Sequence, residues 1–269
     1  MSDDDPVSSG RGPGAGTGSG AGDGDDDASR PGGPLGPLRR FWNAEEGTLA
    51  LVRDLLSSAL MVLLVAGILF GVSGVWPPMV AVKSGSMNPH MYKGDLVFVT
   101  ADDRFAGQDA VPGTGVVTNQ VGRETGYRKF GKAGDVIVYR PNNDSRRDPI
   151  IHRAMFYVEE DERWYDEANE SYLPAGVDNC EELRYCPAPS AGFITKGDNP
   201  RSNQYYDQVQ GMSRPVSPDW VRAKAMVRIP ALGWIRLKWA DLQRGAASSA
   251  AALLLVGGWR HRRRLLAAT

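Results

Sequence analysis

A serine hydroxyl is a poor nucleophile until a base takes its proton and a third group orients that base. Three stretches of this 269-residue chain carry side chains of those kinds. Ser86 lies in VKSGSMNPHMYKGDLVFV, His152 in PIIHRAM, and Asp198 and Asp207 in ITKGDNPRSNQYYDQ. Together they point to nucleophilic catalysis. The long apolar run that precedes Ser86 adds a location, because it sets that chemistry against a membrane.

The base can be chosen by elimination among three histidines. His261 sits in an arginine cluster, expected across the membrane from Ser86. His90 follows Ser86 closely, beyond Pro89, and reaches it only if the chain folds back. His152 sits in an apolar strand context, where a polar residue needs a reason to be buried. A lone histidine there is more often a satisfied structural group, and the Ser86 context reverses that preference. Ser84 and Ser86 flank Gly85, which allows a tight turn. One serine would attack while the other donates a hydrogen bond to the developing oxyanion. An SGS string alone is a common linker, but Met87 and Pro89 argue against a linker here. Asp198 and Asp207 are the candidate third members. An aspartate in a GDN string usually caps a turn, which is compatible with orienting a base.

These residues must be held by surrounding elements. Residues 1–36 are Gly-, Asp-, Ser- and Pro-rich and are expected to be a disordered acidic tail. Residues 37–54 form a juxtamembrane segment, and residues 55–78 a transmembrane helix. No charged residue occurs from Leu55 to Val82, and about 20 apolar residues suffice to cross a bilayer. Pro77 and Pro78 would end the helix, and Trp76 suits the interface. Residues 79–240 read as a β-rich domain. KGDLVFVT, AGDVIVYR, PIIHRAMFYV, AGFITKGD and DWVRAKAMVRIP are rich in Val, Ile, Phe and Tyr and bounded by turn residues. No helical period shows between Met79 and Pro230. Residues 102–132 read as a loop or hairpin excursion, and residues 159–190 as an acidic insertion holding both cysteines. Residues 245–259 are a second membrane segment or an interfacial helix, followed by a basic tail, 260–269. No internal repeat occurs, and GTGVV lacks the third glycine and following helix of a phosphate loop.

Bulk numbers exclude some classes. Lysine plus arginine number 31 against 32 acidic residues, giving a formal charge of -1 and a pI of about 6.3. No global basic field recruits nucleic acid. A mean hydropathy of -0.34 excludes a polytopic membrane protein. Cys180 and Cys186 lack a CxxC pairing or a nearby histidine, so a zinc site is not expected. They would form a small loop disulfide in an oxidising compartment or remain two free thiols. Asn143 and Asn169 each begin an N-x-S string, where glycosylation is open.

Taken in order, SGSMNPHMYKGDLVFV, GDVIVYRPN with IIHRA, ITKGDNP, and VRAKAMVRIPALGWIRL resemble the motif boxes of type I signal peptidases across roughly residues 76–237. The bacterial form uses a lysine base. His152 stands at that position, so the chain resembles the archaeal and endoplasmic-reticulum branch, which uses Ser, His and Asp. The resemblance implies a mainly β, partly barrel-shaped protease domain on an N-terminal membrane anchor. It implies Ser86 as nucleophile, His152 as general base and Ser84 as an oxyanion donor beside the backbone N–H of Ser86. Asp198 matches the first aspartate of the final box. Asp207 matches the second only if extra residues are allowed between them. Asp207 is favoured as the partner of His152, with Asp198 organising the site.

The expected activity is removal of signal peptides from exported preproteins, after small residues, at the outer face of the cell membrane. No metal or organic cofactor is called for. Expected partners are signal-peptide-bearing preproteins, the lipid bilayer and the secretion translocon. Arg39 and Arg40 before the apolar run, and Arg260, Arg262, Arg263 and Arg264 at the end, place the N-terminus in the cytoplasm and the β-rich domain outside. One rival is a self-cleaving repressor-type protease, which would have a lysine base and a DNA-binding domain. Another is an anchored β module that binds exported chains without cutting them.

Overall fold

In the computed structural model of the chain, which describes Trp42 and residues 47–243, the apolar run is one continuous helix, α1 (Thr48–Ser73). It is long and apolar enough to cross a membrane. Its limits differ from the expected 55–78. It begins before the uncharged stretch and takes in Arg53 and Asp54, whose side chains pair at 2.9 Å. It stops at Ser73, before the prolines. Gly74 takes a left-handed φ of 74° and its N–H bonds the Phe70 carbonyl at 2.7 Å, which closes the last turn. The Arg104 guanidinium donates to the carbonyls of Gly71 and Val72, where a helix C-terminus favours positive charge. Ser73 Oγ donates to Val99 O at 2.7 Å.

By internal contacts the chain divides into two compact units, residues 1–60 and 61–269. The second carries the candidate site. Its strands are β1 (Met79–Ala81), β2 (Leu96–Thr100), β3 (Arg128–Lys129), β4 (Lys132–Ala133), β5 (Val136–Tyr139), β6 (Ile150–Val158), β7 (Gly192–Lys196) and β8 (Val221–Ile229). Each of the five strand-like strings in the sequence holds one of them. Six form a sheet in the order β1-β2-β8-β5-β6-β7, with every neighbouring pair antiparallel. β1 and β7 are its edges, so the sheet is open and the expected barrel closure is not seen. The short pair β3–β4 stands apart as a hairpin.

β5, VIVY, is buried along its whole length. Val136 and Val138 join an apolar cluster with Met87, Met91, Val97, Val99 and Ala225. Ile137 and Tyr139 join another with Val116, Ala154, Phe193 and Val216. A strand covered on both faces reads as a continuous apolar run rather than an alternation, as this one does.

The domain is mixed α/β rather than mainly β. Helix α2 (Asn119–Thr125) lies inside the 102–132 excursion, capped by Thr118 Oγ1, which accepts the Val121 N–H at 3.3 Å. It contradicts the expectation of no helix before Pro230. Only Asn119 and Gly122 of α2 are buried, so its two turns carry no apolar repeat to read. Residues 233–243 are also helical. Cys180 and Cys186 form a disulfide. It closes part of the 159–190 insertion, whose Trp164, Leu173 and Leu183 pack with Phe156, Ile194 and Tyr206. The acidic tail, the 245–259 segment and His261 lie outside the described residues.

Candidate active site

Ser86 sits in a turn anchored from below. Met87 and Met91 are fully buried in the cluster that includes Val97 and Val136. The N–H groups of His90 and Met91 both bond the Met87 carbonyl, at 2.9 and 3.0 Å. The Asn88 N–H bonds Gly85 O at 3.1 Å. The methionine after the nucleophile candidate therefore holds the turn in place, and the SGS string is no linker. Ser86 Oγ lies 3.1 Å from Ser84 Oγ. The Ser86 backbone N–H donates to no group among the described residues.

His152 is on β6, directly opposite Ile137 of β5. Its Nδ1 lies 2.7 Å from Asp207 Oδ2. A carboxylate can only accept, so Nδ1 carries the proton and Nε2 is left as the basic nitrogen. Tyr139 donates to the same Asp207 oxygen at 2.8 Å and Thr195 at 2.7 Å. Asp207 and His152 are both buried, and these donors offset the cost of a charge removed from water. Burial, and then the negative charge of Asp207, push the Tyr139 phenol well above its ordinary range, so it remains a donor.

Asp207 is also fixed through its main chain. Its N–H bonds Thr195 O at 2.9 Å. The preceding Tyr206 is gripped by the disulfide-closed insertion: its ring packs on Phe156, Trp164 and Tyr172, and its hydroxyl accepts the Asn169 N–H at 3.0 Å.

Asp198 occupies a different position. Arg153, next to His152 on β6, points to the other face and donates to Asp198 through Nε at 3.0 Å and Nη2 at 2.7 Å. Lys132 Nζ lies 3.1 Å from the carboxylate and His90 Nδ1 3.0 Å. Burial by itself would raise the Asp198 carboxyl. The hydrogen bonds and charge of Arg153, then Lys132, outweigh it and hold the pKa below its ordinary value. The next residue clamps the nucleophile turn: the Asn199 N–H bonds Ser86 O at 2.9 Å and its Nδ2 bonds Gly85 O at 2.8 Å. Gly197 makes this approach possible, since a Cβ there would lie 2.7 Å from Ser86 O.

A pocket brings the candidates together. Ser84, Ser86 and His152 line it with Val80, Asn203 and Leu237. Ser86 Oγ and His152 share that wall, but no hydrogen bond joins them among the described residues. Asp207 meets His152, Asp198 does not, and His90 belongs to Asp198. Among the described residues no group of three or more His, Cys, Asp or Glu is arranged to hold a metal ion. Sequence reasoning missed Arg153, Tyr139, Thr195 and Asn199. Only Asn199 had a signal, as the last letter of the GDN string.

No family model matches the chain. It is 28% identical over 170 residues to the signal peptidase complex catalytic subunit SEC11 of the fungus Schizophyllum commune. The match covers 61% of this chain and 65% of that protein, so the chain spans just under two thirds of its relative. The chain is thus similar, over part of its length, to a signal-peptidase-type protein.

Proposed function

We propose that this chain is a membrane-anchored serine endopeptidase that removes signal peptides from exported preproteins, in the histidine-based manner of the archaeal and endoplasmic-reticulum enzymes. The observation that carries the reading is the 2.7 Å bond between His152 Nδ1 and Asp207, made by a histidine that lines the same pocket as Ser86. The similarity to SEC11 supports it, as does helix α1.

In this reading Ser86 Oγ turns from Ser84 toward His152 Nε2 when a substrate is bound, since catalytic hydrogen bonds often tighten only in the complex. The hydroxyl proton passes to Nε2 as Oγ bonds the scissile carbonyl carbon. Asp207 stabilises the imidazolium that forms. The Ser86 N–H and Ser84 hydroxyl receive the oxyanion. The C–N bond then breaks and Nε2 returns its proton to the leaving amine. Water, deprotonated by His152 in the same way, hydrolyses the Ser86 ester. The apolar lining from Val80 and Leu237 suits the small side chains that precede a signal-peptide cleavage site. The N-terminus lies in the cytoplasm and the pocket at the outer surface.

The test is to incubate purified full-length protein in detergent with a preprotein and sequence the new N-terminus. One cut after a small residue, absent with Ser86→Ala, is expected. An uncut preprotein, or a Ser86→Ala variant that still cuts, would sink the reading.

A further inference from the structure

Asn203 takes no part in the mechanism above, yet it lines the pocket with Ser84, Ser86 and His152. It lies between Asp198 and Asp207, in the stretch that makes their spacing longer than the resemblance predicts. The residue is almost entirely enclosed, at 6% exposure. Its position is well determined. The Asn203 N–H bonds Asn199 O at 2.9 Å, and its Oδ1 accepts from Ser202 Oγ at 3.0 Å. A Cβ built on Gly197 would lie 2.7 Å from both Asn203 Cγ and Ser86 O, so the carboxamide stands beside the main chain of the nucleophile candidate.

The amide nitrogen is the unused part. Asn203 Nδ2 donates to no group among the described residues, and it is not one of the sealed polar atoms that lack a partner. A carboxamide held through its oxygen, with its donor left open to a pocket, is arranged to meet an acceptor brought by something else. The occupant of a peptidase pocket brings carbonyl oxygens. The Ser86 N–H is likewise unspent, and Ser86 lines the same pocket.

We propose that Asn203 is a further catalytic residue, whose Nδ2–H donates to the oxygen of the scissile peptide carbonyl as that oxygen takes on negative charge. This rests on the reading of Ser86 as nucleophile. The donor joins the Ser86 N–H and the Ser84 hydroxyl. It moves no proton and forms no bond. Because its oxygen is tied to Ser202 and its backbone to Asn199, it does not have to reorganise as charge develops, which is where such donors gain their effect.

The experiment measures kcat and KM of full-length protein in detergent on a peptide with alanine before the cleavage site. Asn203→Ala and Asn203→Asp are compared with the unaltered chain. The aspartate keeps the shape and the acceptor for Ser202 but has no donor. Both variants are expected to lose about a hundredfold in kcat, as for removal of one oxyanion donor, with KM changed by less than about threefold. Their labelling by a fluorophosphonate, whose P=O oxygen occupies the oxyanion position, should slow in parallel. A residue that only packs would not slow labelling in a variant that melts at the same temperature as the parent. If Asn203→Asp folds normally and keeps kcat within about threefold of the parent, the role of Asn203 is overturned while the peptidase reading stands. If the unaltered chain neither cuts the peptide nor takes the label, both fall.

Discussion

Asp207 Oδ2 accepts from His152 Nδ1 at 2.7 Å, and Tyr139 and Thr195 donate to that same oxygen. The carboxylate is therefore held from three strands, β5, β6 and β7, before any substrate arrives. Asp207→Asn should lower kcat by about 10⁴, because an amide in that place can donate to Nδ1 and favour the wrong tautomer. Tyr139→Phe should cost far less, since Thr195 still donates. Nitrogen-resolved NMR of the His152 ring checks the cause: the proton should move from Nδ1 to Nε2 in Asp207→Asn and stay in Tyr139→Phe.

The two serines should separate cleanly. Ser86→Ala should lose several orders of magnitude in rate with an unchanged melting temperature. Ser84→Ala should lose on the order of a hundredfold, and only in kcat, if its hydroxyl meets the oxyanion. His90→Ala should retain most activity, since His90 faces Asp198 rather than His152. A His90→Ala variant as inactive as His152→Ala would reassign the base.

Asp198 and Arg153 form a buried ion pair at 2.7 Å. Removing one partner strands the other, so Asp198→Asn should destabilise by about 3–5 kcal/mol, measured by denaturant unfolding. The Asp198 pKa is lower in the fold than in the unfolded chain. Its contribution is therefore complete above the ordinary aspartate value, about 4, and is lost as pH falls through the folded value. The steeper loss of stability on acidification should be absent from Asp198→Asn.

Much of this arrangement was legible in the sequence. The strands were, because Val- and Ile-rich strings between turn residues survive burial on either face. Ser86 and His152 were, through their unusual neighbours. The bond to Asp207 was favoured only through the resemblance, because it joins β6 to a loop beyond an insertion of some thirty residues, and sequence distance says nothing of which carboxylate returns to the ring. Arg153 was hidden for another reason: an arginine in a strand reads as solvent-facing until its buried partner is known. Helix α2 was too short and too polar to show a period. The open sheet edges follow from strand pairing, which local strings do not encode.

The disulfide insertion should act on the site through Tyr206. Replacing both cysteines by serine should cost about 2 kcal/mol, the scale for so small a loop. Tyr206→Ala, which removes the ring held by Phe156, Trp164 and Tyr172, should lower kcat even where the domain remains folded, because Asp207 follows it directly. Tyr206→Phe keeps the ring and should recover most of that loss. Equal activity in Tyr206→Ala and the parent would show that Asp207 is positioned by β7 alone.

Lys196 gives the sharpest pH signature. It is buried on β7, with Nζ donating to Gly197 O at 3.0 Å and lying 4.5 Å from the centre of the Tyr172 ring. Burial, and then the charge of Lys132, lower its pKa to about 8, against the opposing pull of Asp198 and Asp207. Between about 8 and the ordinary lysine value of about 10.5, the unfolded chain holds a proton that the folded chain has released. Stability contributed by this group therefore rises with pH across that window, and below it the cost of a buried ammonium is present in full. Lys196→Met removes the charge and keeps the volume. It should be more stable than the parent at pH 7, and the difference should shrink between pH 8 and 10.5 as the parent's lysine is neutralised. Melting curves followed by tryptophan fluorescence at pH 7, 8.5 and 10 would show this. A difference constant over that range would mean that Lys196 keeps its ordinary affinity for the proton despite its burial.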